Sequence, residues 1–387
     1  IILLGLNKFH KTSNEMDWHD IPQRSRITFL DLPFISLLAC ISYSAISRIP
    51  TPLGLFTKWD AVVSWNRWAI ELVNYTYEPA SAGYPILFPG IWSLIYKAQG
   101  TTEIWFLAKL SLYFVPFICV CLLASLAEQG LITASVIATI GFILMLVSFG
   151  QDVVSGYMDA PVSLMMLASG LWMILFISRS LSTNSLSPLS ALVGVTAITK
   201  QAGILMIIPY FVVLFFRSRS NRLCLGDLIR QIVLVLTPIL IFLVMYLSRE
   251  SNIVGNLELL TSIASNSAGS STPVLHAFDI LFGGLRWLAL IPLLGLSLLN
   301  FFNSKDPVFW LGAVFLLLFI CFFPVFAVCC SYDVRNGWWL ISLLLLSGVC
   351  GVAKINSIKL HRVFGFCRDK TIFSEKTLKI LTPLLLA

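Results

Sequence analysis

Apolar residues run through this chain in long unbroken stretches, and the polar positions gather between them. The stretches predict helices at 28–47, 104–126, 131–149, 160–178, 231–248, 276–302, 309–330 and 337–354. Several are long enough for a bilayer core, which takes ~20 helical residues. They are continuous rather than alternating, so a membrane barrel of short two-sided strands is excluded. Residues 189–216 (LSALVGVTAITKQAGILMIIPYFVVLFF) are the exception, because Lys200 interrupts them. They read either as one span or as two short helices meeting at Thr199-Lys200-Gln201.

Basic residues choose between these two. Lys8, Lys11, Arg24 and Arg26 precede the first run, and Arg217, Arg219, Arg222 and Arg230 lie in 217–230. Lys354, Lys359, Arg362, Arg368 and Lys370 follow the last complete run. All three groups are cytoplasmic only if 189–216 goes in and returns, so a hairpin with Lys200 at its apex is expected. The outer side then receives 48–102, 150–159, the Lys200 apex, 249–275 and 331–336. The expected organisation is a cytoplasmic segment, 1–27, a transmembrane domain, 28–354, and a basic segment with the start of a further helix, 355–387. The chain begins IILLGLNKFH and stops on TLKILTPLLLA. Both ends look like pieces of helices, so a fragment of a longer chain is expected.

Composition agrees with the pattern. The chain is 58% hydrophobic and 12% charged, unlike an ordinary soluble domain. Its net charge of +7 is read as membrane topology, not as nucleic-acid binding. Most of the nine Cys lie in apolar runs, as small buried hydrophobes do, and no Cys/His metal spacing is present.

The polar residues of the outer side carry the candidate chemistry. In KWDAVVSWNRWAIELVNYTYEPASAGY (58–84), apolar positions fall at near-helical spacing after Asp60, and a second apolar segment runs from Tyr84 to Ala98. Both suit helices lying in the membrane interface, with their aromatics as a headgroup-level belt. Asp60 starts the first helix, where a solvated N-cap is the plain alternative. FGQDVVSGYMDAP holds Asp152 and Asp159, and Asp159 before Pro161 also fits an N-cap. Lys200 is costly in hydrocarbon, by ~3 kcal/mol on insertion scales, so it must snorkel, pair or line a wet cavity. Asp279 and Arg286 share a helix face, with Arg286 about 10 Å deeper at ~1.5 Å rise per residue. Arg286 suits a phosphate, and a structural pair with Asp279 is the alternative. Asp333 and Arg335 stand at the mouth of the last complete helix.

At these residues the sequence resembles the polytopic GT-C glycosyltransferases. These polyprenyl-phosphate-sugar-dependent enzymes include protein O-mannosyltransferases and the lipid A aminoarabinose transferase. The likeness rests on WDAVVSWNRWA with YPILFPGIWSLIYK, on GYMDAPVSLMMLASGLWM, on AITKQAGILMIIPYFVVL and on YDVRNGWWLISLLLL. It implies an all-α bundle of about 10 transmembrane helices, with interfacial helices in outer loop 48–102. It implies an active site on the outer face, with an essential acid in the first long loop, by position Asp60. The family often has Asp-Glu there, whereas this chain has Asp60-Ala61. Asp152 or Asp159 would then supply the second acid. Lys200, Arg286 or Arg335 would hold the lipid phosphate. Trp65, Arg67, Glu71 and Tyr84 would line the acceptor or sugar pocket. Mg or Mn at Asp60 and Asp152 is an option that no metal motif specifies.

The residue chemistry fits inverting transfer of a hexose or pentose from a polyprenyl-phosphate donor. A base is needed at the acceptor hydroxyl, and cations are needed on the departing phosphate. The acceptor would be a glycan, a lipid or a protein, and no nucleic acid is involved. In a bacterium the location would be the plasma (inner) membrane, with the site facing the periplasm or exterior. A transporter is the main rival, although transporters hold substrate near the midplane between repeats, and no repeat is visible. A non-catalytic, transferase-like assembly subunit and a polymerase or ligase of lipid-linked glycans are the others.

Overall fold

The computed structural model describes residues 58–77, 86–129, 131–178, 186–219, 223–247, 287–298, 306–329 and 337–353, with Phe56, Ala277, Asp279 and Leu281. All belong to one compact unit, Ala45–Ala387. The segments expected at 1–27 and 355–387, and the helix at 28–47, lie outside the described residues. The described residues are mostly helical, with no strand among them.

A π-helical segment, Ala61–Asn66, runs into α1, Arg67–Val73. Then follow α2, Leu87–Gln99, and α3, Phe106–Ser111. Next come α4, Phe114–Glu128, and α5, Ile132–Phe149. The apolar run at 104–126 is thus broken at Leu112 and Tyr113. Pro116 accounts for the break: its ring clashes with the carbonyl four residues back, that of Leu112, and it falls in the first turn of α4. A 3-10 turn, Gly150–Val153, leads to α6, Asp159–Ser178.

The 189–216 region resolves into α7, Leu186–Ala197, a 3-10 turn, Gln201–Met206, and α8, Ile207–Arg219. The chain reverses between them. Tyr210 and Ser190, each ten residues from Lys200, are joined by their hydroxyls. A Cβ on Gly203 would stand 1.9 Å from the Thr196 carbonyl oxygen, so the returning strand of backbone lies directly on α7. The expected hairpin is therefore present.

After it come α9, Leu225–Leu247, then α10, Trp287–Leu298, α11, Pro307–Cys329, and α12, Trp338–Ala353. The run expected from 231 starts at 225, with Asp227 in the first turn. An acid there is favoured by the helix dipole.

Helices α6 and α12 form the centre, and almost every side chain they carry is buried. Helix α12 packs on α5, α6, α10 and α11, while α6 also meets α4 and α7. Hydroxyl and thiol groups tie these helices where no water competes. Ser342 Oγ donates to the Ser163 carbonyl at 3.0 Å, Ser347 Oγ to that of Gly312 at 2.8 Å, and Cys119 Sγ to that of Leu164 at 3.2 Å. Ser169 meets Thr196 at 2.9 Å, and Ser190 meets Gln231 Oε1 at 2.7 Å. Small polar bridges of this kind are typical glue between membrane helices.

Five helical segments among the described residues are long and apolar enough to cross a membrane: Phe106–Ala127, Asp159–Ser178, Gln201–Arg219, Leu225–Val244 and Pro307–Ala327. Asp159–Ser178 is almost wholly buried, and the outward faces of the other four are apolar, as Phe117, Phe215, Val233, Ile241 and Leu317 show. So large an apolar exterior suits lipid and is a liability in water.

Candidate functional site

The site grows from one end of α6. Asp159 opens that helix and is buried, and its carboxylate receives the Lys200 ammonium from the hairpin apex. The other end of α6 is held by a different cation. Arg217 Nη2 donates to the Phe176 carbonyl at 2.8 Å, with its guanidinium 4.2 Å over the Phe176 ring. Seventeen residues separate the two contacts, so the poles lie about 25 Å apart.

Three further segments close on the Asp159 pole. Lys58 Nζ is 3.5 Å from Asp152 Oδ1. A Cβ on Gly156 would meet the Ala61 Cβ at 2.7 Å and the Phe56 ring at 2.8 Å, and Gly156 has a φ of +94° that favours glycine. The segment around Asp60 therefore rests on 152–156 at two points, Lys58 and Ala61. Asp60 sits between them, exposed, with no hydrogen bond capping its own helix. Its side chain makes no N-cap bond, and it stands as an acid in the first helical turn, where the helix dipole favours it. Leu87 N–H donates to the Ile198 carbonyl at 3.3 Å, which brings the start of α2 onto the Lys200 turn.

An aromatic floor supports this rim. The Phe56 ring lies 4.7 Å from Trp92 and 5.5 Å from Trp105, and the Trp92 indole donates to Ser111 Oγ at 3.0 Å. Tyr96 donates to Asn66 Oδ1, locking α2 to the π-helical segment. Burial pushes the Tyr96 phenol well above its ordinary value and keeps it a neutral donor. The belt of aromatics expected at headgroup level is thus largely turned inward. Trp65, Trp68, Trp92 and Tyr96 are buried, while Trp59 and Tyr75 are exposed.

The other expected site residues divide as follows. Trp65 is buried edge-on to Trp68 at 5.1 Å. Arg67 Nε bonds Glu71 Oε1 at 2.6 Å, four residues on, so these two satisfy each other on the outer surface of α1. Asp279 is exposed. Arg286, Arg335, Asp333 and Tyr84 lie outside the described residues. No group of three His, Cys, Asp or Glu that could hold a metal is found among the described residues. Asp152, the partner considered for Asp60 around Mg or Mn, faces Lys58 instead. No step is therefore routed through a metal.

Sequence reasoning missed the parts of Lys58, Asn66 and Gly156. Lys58 shares a triplet with Asp60, and that was its signal. Gly156 stands one turn before an Asp-initiated helix, in SGYMD, where a tight backbone approach is a fair reading. Asn66 gave none, because its partner lies 30 residues away.

Compared with known proteins, the chain matches no family model, no curated protein and no solved structure.

Proposed function

We propose that this protein is a membrane glycosyltransferase of the GT-C type, built as a bundle of about 10 transmembrane helices. It transfers a hexosyl or pentosyl group from a polyprenyl-phosphate donor, with inversion, at the non-cytoplasmic face. The observation that carries this reading is the Asp159–Lys200 pair at the pole where the Asp60 loop docks. A lysine held by a carboxylate in an otherwise apolar bundle is a costly arrangement, and such residues mark functional sites by default.

The chemistry runs through this chain's own residues. The acceptor hydroxyl gives its proton to the Asp60 carboxylate, and its oxygen bonds the sugar C1. The bond from C1 to the phosphate oxygen breaks, with its electron pair leaving on the polyprenyl phosphate. Lys200 exchanges Asp159 for that phosphate and stabilises the growing charge. Lys58, Asp152 and Gly156 hold Asp60 in place. Arg286 and Arg335 are further phosphate ligands in this reading, and Trp65, Arg67, Glu71 and Tyr84 shape the acceptor side. The donor's tail stays in the bilayer, which is why spanning helices form the scaffold.

The test is sugar release from polyprenyl-phosphate sugars by the purified protein. Asp60→Asn is expected to lower turnover roughly 100-fold or more, the usual worth of a positioned base, without changing thermal stability. Turnover near that of the wild type would sink the assignment. Solute flux in proteoliposomes without sugar transfer would favour a transporter.

A further inference from the structure

The chain contains a single Asn-X-Ser/Thr triplet, Asn74-Tyr75-Thr76. By itself the triplet is short enough to arise by chance, so its placement decides its meaning. It forms the turn that ends α1. Asn74 N–H bonds the Ile70 carbonyl at 3.0 Å, and Thr76 N–H bonds that of Glu71 at 2.9 Å. Tyr75 takes a φ of +59°, unusual for a non-glycine residue, and is 82% exposed. Lys97 steadies it from α2, with Nζ 3.1 Å from the Tyr75 hydroxyl and 4.3 Å from the ring centroid. Asn74 and Thr76 are both exposed. Among the described residues the Asn74 side chain has no hydrogen-bond partner, so its amide leads into open space. The turn belongs to the same outer loop as Asp60. Arg217 and Arg219 mark the opposite pole, which the proposed function takes as the cytoplasmic one.

We propose that Asn74 is an acceptor of an N-linked glycan on the non-cytoplasmic face. The donor is a lipid-pyrophosphate oligosaccharide used by a separate transferring enzyme. The Asn74 amide nitrogen bonds C1 of the first sugar, and the C1–oxygen bond to pyrophosphate breaks. The pyrophosphate keeps the electron pair, and the amide proton goes to the transferring enzyme's base. A bulky hydrophilic group needs a surface turn with free space, which this site supplies. The inference shares its orientation with the proposed function but not its chemistry.

The full chain is made in endoplasmic-reticulum microsomes and treated with an amidase that releases N-glycans. Wild type is expected to carry one glycan, and release should convert Asn74 to Asp in the recovered peptide. Asn74→Gln and Thr76→Ala should lose it, while Thr76→Ser should keep it in part. Leu223→Thr, which completes a second triplet after Asn221 and Arg222, tests the opposite pole in an Asn74→Gln background and should stay bare. Wild type without a glycan overturns the proposal. If the Leu223→Thr chain is then modified, the orientation is inverted and the proposed function falls too. If neither is modified, only the glycan inference falls, and the sugar-transfer assay still decides the other.

Discussion

Lys200 and Asp159 are mostly out of solvent, with side chains 21% and 9% exposed. That makes two readings compete at a single contact. As a purely structural pair it would be replaceable, because desolvation consumes most of what the attraction gains. As a phosphate site, Lys200 must be retained even when its partner is compensated. A double-mutant cycle separates them. Asp159→Leu alone is expected to cost about 2–4 kcal/mol, since it leaves an ammonium without its counter-charge in a low-dielectric setting. Lys200→Met with Asp159→Leu should recover most of that loss. Thermal unfolding in detergent measures both. Donor binding by the double variant should nevertheless stay at least tenfold weaker than wild type. Restored binding would mean that the pair is structural only. Lys200 was legible as a residue of interest because a charge within an apolar run has a cost that can be read without coordinates. Its choice of Asp159 over Asp152 was not, because both acids lie in the same short stretch and only the fold decides which one turns inward.

At the scale of elements, the apolar runs named most helices to within a few residues, since length and continuity alone specify them. They failed where a short-range effect intervened. Pro116 cuts 104–126, and the polar first turns of α9 read as loop although a helix start tolerates charge. The loop expected at 48–102 shows a deeper limit. Both its helices were visible, but an aromatic gains similarly from a headgroup layer or from a protein interior, so the inward turn of Trp65, Trp92 and Tyr96 carried no sequence signature. What docks this loop can be weighed. The Lys58–Asp152 pair is part-exposed and worth at most about 1 kcal/mol. Gly156→Ala adds a Cβ 2.7 Å from Ala61 on a backbone of positive φ, which costs about 1–3 kcal/mol before the contact is relieved. Gly156→Ala should therefore release the loop and raise proteolysis between 56 and 66, with loss of sugar transfer. Lys58→Ala should leave the protease pattern unchanged. Equal effects of the two variants would show that the ion pair, not the backbone approach, sets the docking.

On the scale of the whole molecule, the order of the chain alternates between two poles. The Asp159 pole gathers the segment around Asp60, the 150–158 turn and the hairpin apex, and Gly337 at the head of α12 packs there on Leu281 and Phe326. The opposite pole holds Arg217 and Arg219 at the end of α8, with Cys224 beside Asp227 at the start of α9. The proposed function takes the second pole as the cytoplasmic one, on the tendency of basic residues to stay inside, and needs the first pole to face away. Thiol labelling decides this with residues already placed. Trp59 is 75% exposed at the first pole, and Cys224 is exposed at the second. In sealed right-side-out vesicles, Trp59→Cys should add reaction with a membrane-impermeant maleimide over the wild-type background. Cys224→Ser should remove none of that background until the vesicles are permeabilised, and should then remove a measurable part. The reverse pattern would place Asp60 and Lys200 on the cytoplasmic side. A donor presented at the outer leaflet could not then reach them, and the alternation of charge between the poles would need a cause other than insertion.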